Sequence, residues 1–573
     1  MNPAPSPAWG PEMLGGGRVC FRLWAPDRDA VTLEFRDGPA NPMVSAGDGW
    51  FSVEVAAQPG ARYRFRLDDD LAVADPASRV QDSGVHGWSV LTQLTPADAR
   101  DADWKGRPWE EAVIMEVHAG LLGGFAGVAE RLPAWAEMGV TAIELMPVAA
   151  YGGTRGWGYD GVLPYAVAEA YGSPEELVAL IDRAHDLGLM VMLDVVYNHF
   201  GPDGNYLGSY ASAFFDQHAD TPWGGAVAVS LPPVRRFFTD NALMWLRDYG
   251  FDGLRFDAVH AIGDSAFLDG MARDLRSALP DRRIHLVLEN EGNDAARLKP
   301  GLYDAQWNDD FHNTLHVLLT GETEGYYAGF ADNPTQRLAR CLAEGFVYQG
   351  ETPPGEGAHP RGTPSAHLPA ARFVSFLQNH DQVGNRAMGE RLIHLTGKAN
   401  LRAATALLLL GPQIPLLFMG EEEGSRSPFL FFTDFHDELA DAVREGRRRE
   451  FARFAAFADP AARQRIPDPN ARSTFDASRP RPGEDAAEWR AFYRRLLALR
   501  HQQIVPRLPG TTGQSADVLG EGAVIARWRM GDGAQLAMAI NIGDEKLRFP
   551  GAGEPFFKLG EPGDPGSFAA WLT

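Results

Sequence analysis

The 573-residue sequence contains only two cysteines, Cys20 and Cys341. Two thiols so far apart make neither a zinc-ligand pattern nor a disulfide framework, so a reducing cytoplasm is the expected setting. Long apolar runs are missing too. A membrane-spanning helix needs roughly 18 or more apolar residues in a row. The best candidate, LRAATALLLLGPQIPLLFMG at 401–420, is interrupted by Gly411, Pro412 and Pro415. It reads as a buried helix, a turn and a buried strand. The opening residues, MNPAPSPAWGPEM, show no basic stretch followed by an apolar one, and no secretion signal is expected there. Positive charge is scarce: the formal net charge is −23. Such a chain repels nucleic acid and anionic membrane unless it carries a basic patch. Its short basic runs, REGRRRE (444–450) and RPRPGED (479–485), are flanked by acids. A neutral substrate suits this charge, with neither nucleic acid nor membrane as partner.

What is present reads as several soluble domains. Residues 1–92 are all-β: RVCFRLWAP, AVTLEF, WFSVEVA and ARYRFRLD alternate or run apolar between Gly, Pro and Asp turns. That pattern predicts an N-terminal β-sandwich, with a linker over 93–110. From there the rhythm becomes strand, loop, helix. AVIMEVH, TAIELMPV, LMVMLDVVYNH, GLRFD, IHLVLEN, FVSFLQNHD and PLLFMGEE supply strands, and the weakest step falls near GLYDAQWN (301–308). Helices are expected within 125–138 and 174–188 and near 239–249 and 264–279; SPEEL offers a Ser cap and a Pro at the first helical position. About eight such units over 111–502 predict an α/β fold, a (β/α)8 TIM barrel. AVIARWRM and QLAMAIN then suggest a C-terminal β-sandwich over 503–573.

In such a barrel the chemistry sits where the strands end. Those ends carry Asp194 with Asn198 and His199, Arg255 with Asp257 and His260, Glu289, and Asn379-His380-Asp381. Any one of these acids alone is better explained as a helix cap or surface charge. Their recurrence at equivalent positions in successive units is not. Several carboxylates without a metal cage or a cysteine nucleophile suit glycoside cleavage. One carboxylate attacks the anomeric carbon, and a guanidinium beside it keeps it ionised, as Arg255 does for Asp257. A second carboxyl, held protonated by burial or like charge, serves the leaving oxygen, and Glu289 is placed for that.

The segments DVVYNH (194–199), GLRFDAVH (253–260), LVLEN (286–290) and FLQNHD (376–381) resemble, in order and on successive strands, the four signature regions of the α-amylase family of glycoside hydrolases. The resemblance implies Asp257 as nucleophile, Glu289 as general acid/base and Asp381 as transition-state stabiliser. It implies substrate contacts from Arg255, His199 and His380, support from Asp194 and Asn198, and a sugar-stacking ring at Tyr159 in RGWGYDGV. Asn379, beside His380, is a further candidate substrate contact, and His260 either lines a subsite beyond the cleaved bond or caps the following loop. It also implies a retaining reaction, with the two carboxyls about 5–5.5 Å apart. The sandwich segment WAPDRDAVTLEF resembles the carbohydrate-associated domain of branching and debranching members. LENEGND (288–294), QNHDQVGNRAMGERL (378–392) and the long stretch 416–451 are similar to the members that cut the α-1,4 bond next to the terminal trehalose unit of maltooligosyl trehalose. Maltooligosyl trehalose, an α-1,4-glucan oligosaccharide, is thus the implied substrate; a glucan-branching or debranching enzyme is the alternative. Trp223 and Trp307 are candidate sugar platforms, and Phe431, Phe432 and Phe435 a candidate wall for the leaving group. The scattered acids Asp203, Asp216 and Asp220 do not assemble the six to eight oxygens of a calcium site, so no metal and no cofactor is expected.

Overall fold

The computed structural model describes residues 8–221, 224–354, 359–551 and 553–573; Trp223 lies outside them. Eight parallel strands close into a barrel: β1 (Ile114–Val117), β2 (Ala142–Leu145), β3 (Met190–Val195), β4 (Gly253–Phe256), β5 (His285–Leu288), β6 (Ala305–Trp307), β7 (Phe373–Ser375) and β8 (Ile414–Phe418). Helices cover the outside, so both faces of each strand are buried and the strands read as apolar runs. Alternation turns every second residue inward. Ile114, Ala142, Met190, Val287, Ala305, Val374 and Ile414 belong to one buried cluster with Trp109. The Trp109 indole, at the end where strands begin, donates to the Ala371 carbonyl at 2.8 Å. The barrel is therefore a packed core, and space for a ligand lies only above its far rim.

The register aligns that rim. Asp194 of β3 pairs with Arg255 of β4, and Arg255 with Val287 of β5. Asp257 and Glu289 follow immediately, at equivalent heights. Short β6 matches the weak step expected near 301–308.

Local signals account for the helices. Ser173 accepts the Glu176 amide at 3.3 Å while the Glu176 carboxylate takes the Ser173 amide at 2.8 Å, starting Pro174–Asp186 with a reciprocal cap. The helix expected within 125–138 is instead two pieces, Gly124–Ala129 and Leu132–Met138, preceded by the single turn Ala119–Leu122. Pro133 cannot donate inside a continuing helix and sits in the first turn of the last piece. The helix expected near 239–249 begins earlier, at Pro232, and widens to a π turn over Met244–Tyr249.

Before the barrel, two antiparallel sheets face each other across Phe21, Leu33, Tyr63 and Phe65. Trp9, Trp24 and Trp50 pack with Phe214 and Phe237 and join this unit to the barrel. After the barrel comes one five-stranded antiparallel sheet, ordered Thr512–Gly520, Ala523–Arg529, Gln535–Asn541, Ser567–Leu572, Phe557–Leu559. One face meets the helices Pro334–Glu344 and Lys398–Leu410. On the other, Phe549 covers Ile525, Ala539, Ala569 and Trp571, so a loop takes the place of a second sheet. Among the described residues, no helix is long and apolar enough to cross a membrane.

Candidate active site

Arg255 is the hub of the rim. Its side chain is fully buried, and Nη1 reaches Asp257 Oδ1 at 2.7 Å and Asp194 Oδ2 at 2.8 Å, while Nη2 lies 3.9 Å from Glu289 Oε2. The guanidinium rests 4.0 Å above the Trp307 ring, a cation–π contact in a dry place. Trp307 is thereby buried beneath Arg255 and is no sugar platform, contrary to expectation.

Asp257 also accepts from Asn198 Nδ2 at 3.3 Å. The chain then turns sharply. Ala258 adopts φ 40°, a left-handed conformation that is costly for a residue with a side chain. This turn aims the Ala258 amide at the Glu289 carboxylate, to which it donates. Burial, reinforced by Asp257 and opposed by Arg255, raises the Glu289 carboxyl well above the ordinary carboxylate range. Two carboxyls on one guanidinium thus stand in unlike surroundings. That is the arrangement acid/base and nucleophile require.

Asp381 enters from the end of β7. Asn379 accepts the amides of Asp381 at 2.9 Å and Gln382 at 3.4 Å, capping the short helix His380–Gly384. Asn379 is fully buried; the expected sugar ligand is a cap that orients Asp381. Asp381 keeps 40% of its side chain exposed. Partial desolvation pushes its carboxyl up, but His380 and Arg255 outweigh that and hold it below its usual value.

Tyr159 stacks on His380 with ring centroids 4.9 Å apart and donates to Asp194 Oδ2 at 2.5 Å. Its ring stays partly exposed, while His380 is buried. His199 is buried too, with Nε2 2.9 Å from the Tyr159 carbonyl and Nδ1 against Asn198. Burial, opposed by Arg255, raises Asp194 to about 7. His260 stands apart. It is exposed on the turn Val259–Ala261, where Nδ1 accepts the Glu291 amide at 3.4 Å, and it reaches none of the three carboxyls.

Three acids were not anticipated. Glu116, on β1, holds His380 by its backbone and its ring. Glu144, on β2, is buried, and burial first and then Glu116 and Asp194 raise it well above the carboxylate range. Asp309 accepts from Gln382 Nε2 at 3.3 Å and is raised by burial to about 7. A single acid inside the apolar strands IMEV and AIEL was the signal for the first two.

Phe432 and Phe435 are buried, Phe432 against Phe429 and Phe475, so these two pack rather than wall a subsite. Phe431 is half-buried between Trp157 and Arg447. Among the described residues, no three His, Cys, Asp or Glu side chains are grouped as metal ligands.

The chain is similar to several known proteins. The family described as Alpha amylase, catalytic domain, matches residues 77–223, and a domain of unknown function (DUF3459) matches 511–571. A malto-oligosyltrehalose trehalohydrolase of Deinococcus radiodurans is 41% identical over 92% of this chain and 90% of its own. A crystal structure from Salmonella typhimurium, assigned to the alpha amylases, superposes with a TM-score of 0.92 at 44% identity, covering 99% of both chains. A 1,4-alpha-glucan branching enzyme of Ralstonia nicotianae is more distant, 29% identical over 71% of this chain and 57% of its own.

Proposed function

Because the chain belongs to the malto-oligosyltrehalose trehalohydrolases of the α-amylase family, we propose that it hydrolyses the α-1,4 bond next to the terminal trehalose unit of maltooligosyl trehalose, with retention. Asp257 attacks the anomeric carbon of the maltooligosyl chain. Glu289, protonated, gives its proton to the departing 4-oxygen, and trehalose leaves. Water then attacks the glycosyl-Asp257 ester, Glu289 takes its proton, and a maltooligosaccharide is released. Asp381 faces the sugar ring and stabilises the positive charge that develops on it. Arg255 sets its positive charge 2.7 Å from Asp257 Oδ1. Tyr159, His199 and His380 bound the pocket of the attacked sugar, with Asp194 and Asn198 behind them. No cofactor enters this scheme.

One observation carries the reading: Asp257 and Glu289 flank the Arg255 guanidinium, and burial raises Glu289 clear of the carboxylate range. A reducing cytoplasm suits Cys20 and Cys341, which are buried and unpaired. The test is to supply maltooligosyl trehalose and follow free trehalose, with amylose and iodine colour in parallel. Trehalose without new branch points is expected; branch points without trehalose overturn the reading in favour of a transferase.

A further inference from the structure

Tyr326 leaves 62% of its surface to solvent, an unusual exposure for a large ring. It sits in the turn Gly325–Phe330, within the long connection from β6 to β7. An open cavity of about 480 Å³ lies against it, lined by Glu324, Gly325, Tyr326, Arg453 and Phe454. That volume falls within the roughly 300–1,000 Å³ of small-ligand sites. The opposite wall comes from the connection after β8. Arg453 stands 5.9 Å from the Tyr326 ring and 5.2 Å from that of Phe454. Gly325 permits this approach, since a Cβ there would meet Phe454 Cε1 at 2.7 Å.

Both connections are fastened to the segment that carries Asp381. Glu322 receives both Arg386 nitrogens at 2.7 and 2.9 Å. From the β8 side, Arg447 donates to the carbonyls of Gly384 at 2.8 Å and Arg386 at 3.2 Å. Both walls of the cavity are therefore tied to the segment that carries Asp381. An exposed aromatic face flanked by a guanidinium and a carboxylate suits a glucosyl unit: the ring takes its apolar face, and the charged groups take its hydroxyls.

Resting on the trehalohydrolase reading, we propose that Tyr326, Arg453 and Glu324 form a remote glucosyl subsite that grips the maltooligosyl chain of longer substrates. The trehalose side of the scissile bond is two sugars long in every substrate, so only the other side varies with length. A subsite for the chain must therefore act on long substrates and spare short ones.

The experiment compares wild type, Tyr326→Ala and Tyr326→Phe on maltooligosyl trehaloses of graded length. Wild-type kcat/KM is expected to rise with length. Tyr326→Ala should lose about five- to tenfold on the longest substrate, through KM, with kcat and the shortest substrate unchanged; Tyr326→Phe should restore most of it. An equal loss at all lengths would move the trehalose unit into this cavity and overturn the proposal, as would no loss at all. Maltohexaose binding, read by intrinsic fluorescence, needs no turnover. Weaker binding by Tyr326→Ala supports the subsite, and unchanged binding overturns it, even if wild type releases no trehalose. That last outcome would sink the functional reading alone.

Discussion

Glu116 holds His380 twice: its carboxylate accepts the His380 backbone amide at 3.0 Å and meets ring Nδ1 at 2.5 Å, with both side chains buried. Burial alone favours a neutral imidazole. Asp381 and Glu116 outweigh it and raise the ring well above its ordinary value. The result is an imidazolium between two carboxylates, with Nε2 3.4 Å from Asp381. The rings packed against it, Trp157, Tyr159 and Trp307, are uncharged.

A histidine raised on folding stabilises the protein fully below its unfolded pKa and loses that contribution as pH climbs through the folded one. Glu116→Gln removes a carboxylate that raises it. The wild-type melting temperature should thus exceed that of Glu116→Gln by the widest margin below about pH 6.5, and the margin should narrow as pH rises. Melting curves between about pH 5 and pH 9 measure it. A margin that widens with pH would remove the imidazolium from this site.

Glu289 supplies the proton only while it is protonated, and its pKa is raised. Glu289→Gln should therefore cost about 10²–10⁴ in kcat on maltooligosyl trehalose. It should cost far less in the first step on an α-glucosyl fluoride, whose leaving group needs no proton. Rates on the two substrates check this. Equal losses would mean that Glu289 holds the site in shape and transfers no proton.

Retention gives a third outcome. Asp257 and Glu289 flank one guanidinium, and a retaining reaction uses two carboxyls about 5–5.5 Å apart. The maltooligosaccharide first released should be the α-anomer, read by proton NMR before mutarotation. A β-anomer would rule out the covalent route through Asp257.

The site was legible where function and strand geometry coincide. Asp257 and Glu289 each follow an apolar strand directly, and the parallel register brings these ends to one rim, while Asp381 follows Phe373–Ser375 on the short helix His380–Gly384. Glu116 and Glu144 were passed over because they lie within strands, where an isolated acid looks like an exposed alternation until both faces prove buried. Trp307 was misjudged for a related reason. As the last residue of β6 it turns inward with Ala305, and Arg255 from β4 then covers it. Contacts set by loops left no local signal. Asp310, bound by Arg361 at 2.8 Å, Asn293 at 3.0 Å and the Val347 amide at 2.7 Å, joins segments that nothing in their composition connects.

Arg255 provides the sharpest test of what holds the rim together. Among the described residues it is the cation that pairs with both Asp194 and Asp257, and it also stacks on Trp307. Arg255→Met keeps bulk against the ring but leaves buried carboxylates without a counter-charge, which costs about 3–5 kcal/mol. Stripped of that charge, the carboxyls rise in pKa, and a group raised on folding stabilises below its unfolded value and loses this as pH rises. Asp194 already stands at about 7 with the arginine present, so the deficit of Arg255→Met should be smallest at about pH 5, where this carboxyl is protonated in both proteins, and largest at about pH 9. Denaturant unfolding at the two pH values measures it. A deficit independent of pH would mean that packing on Trp307, not charge, is what the arginine contributes.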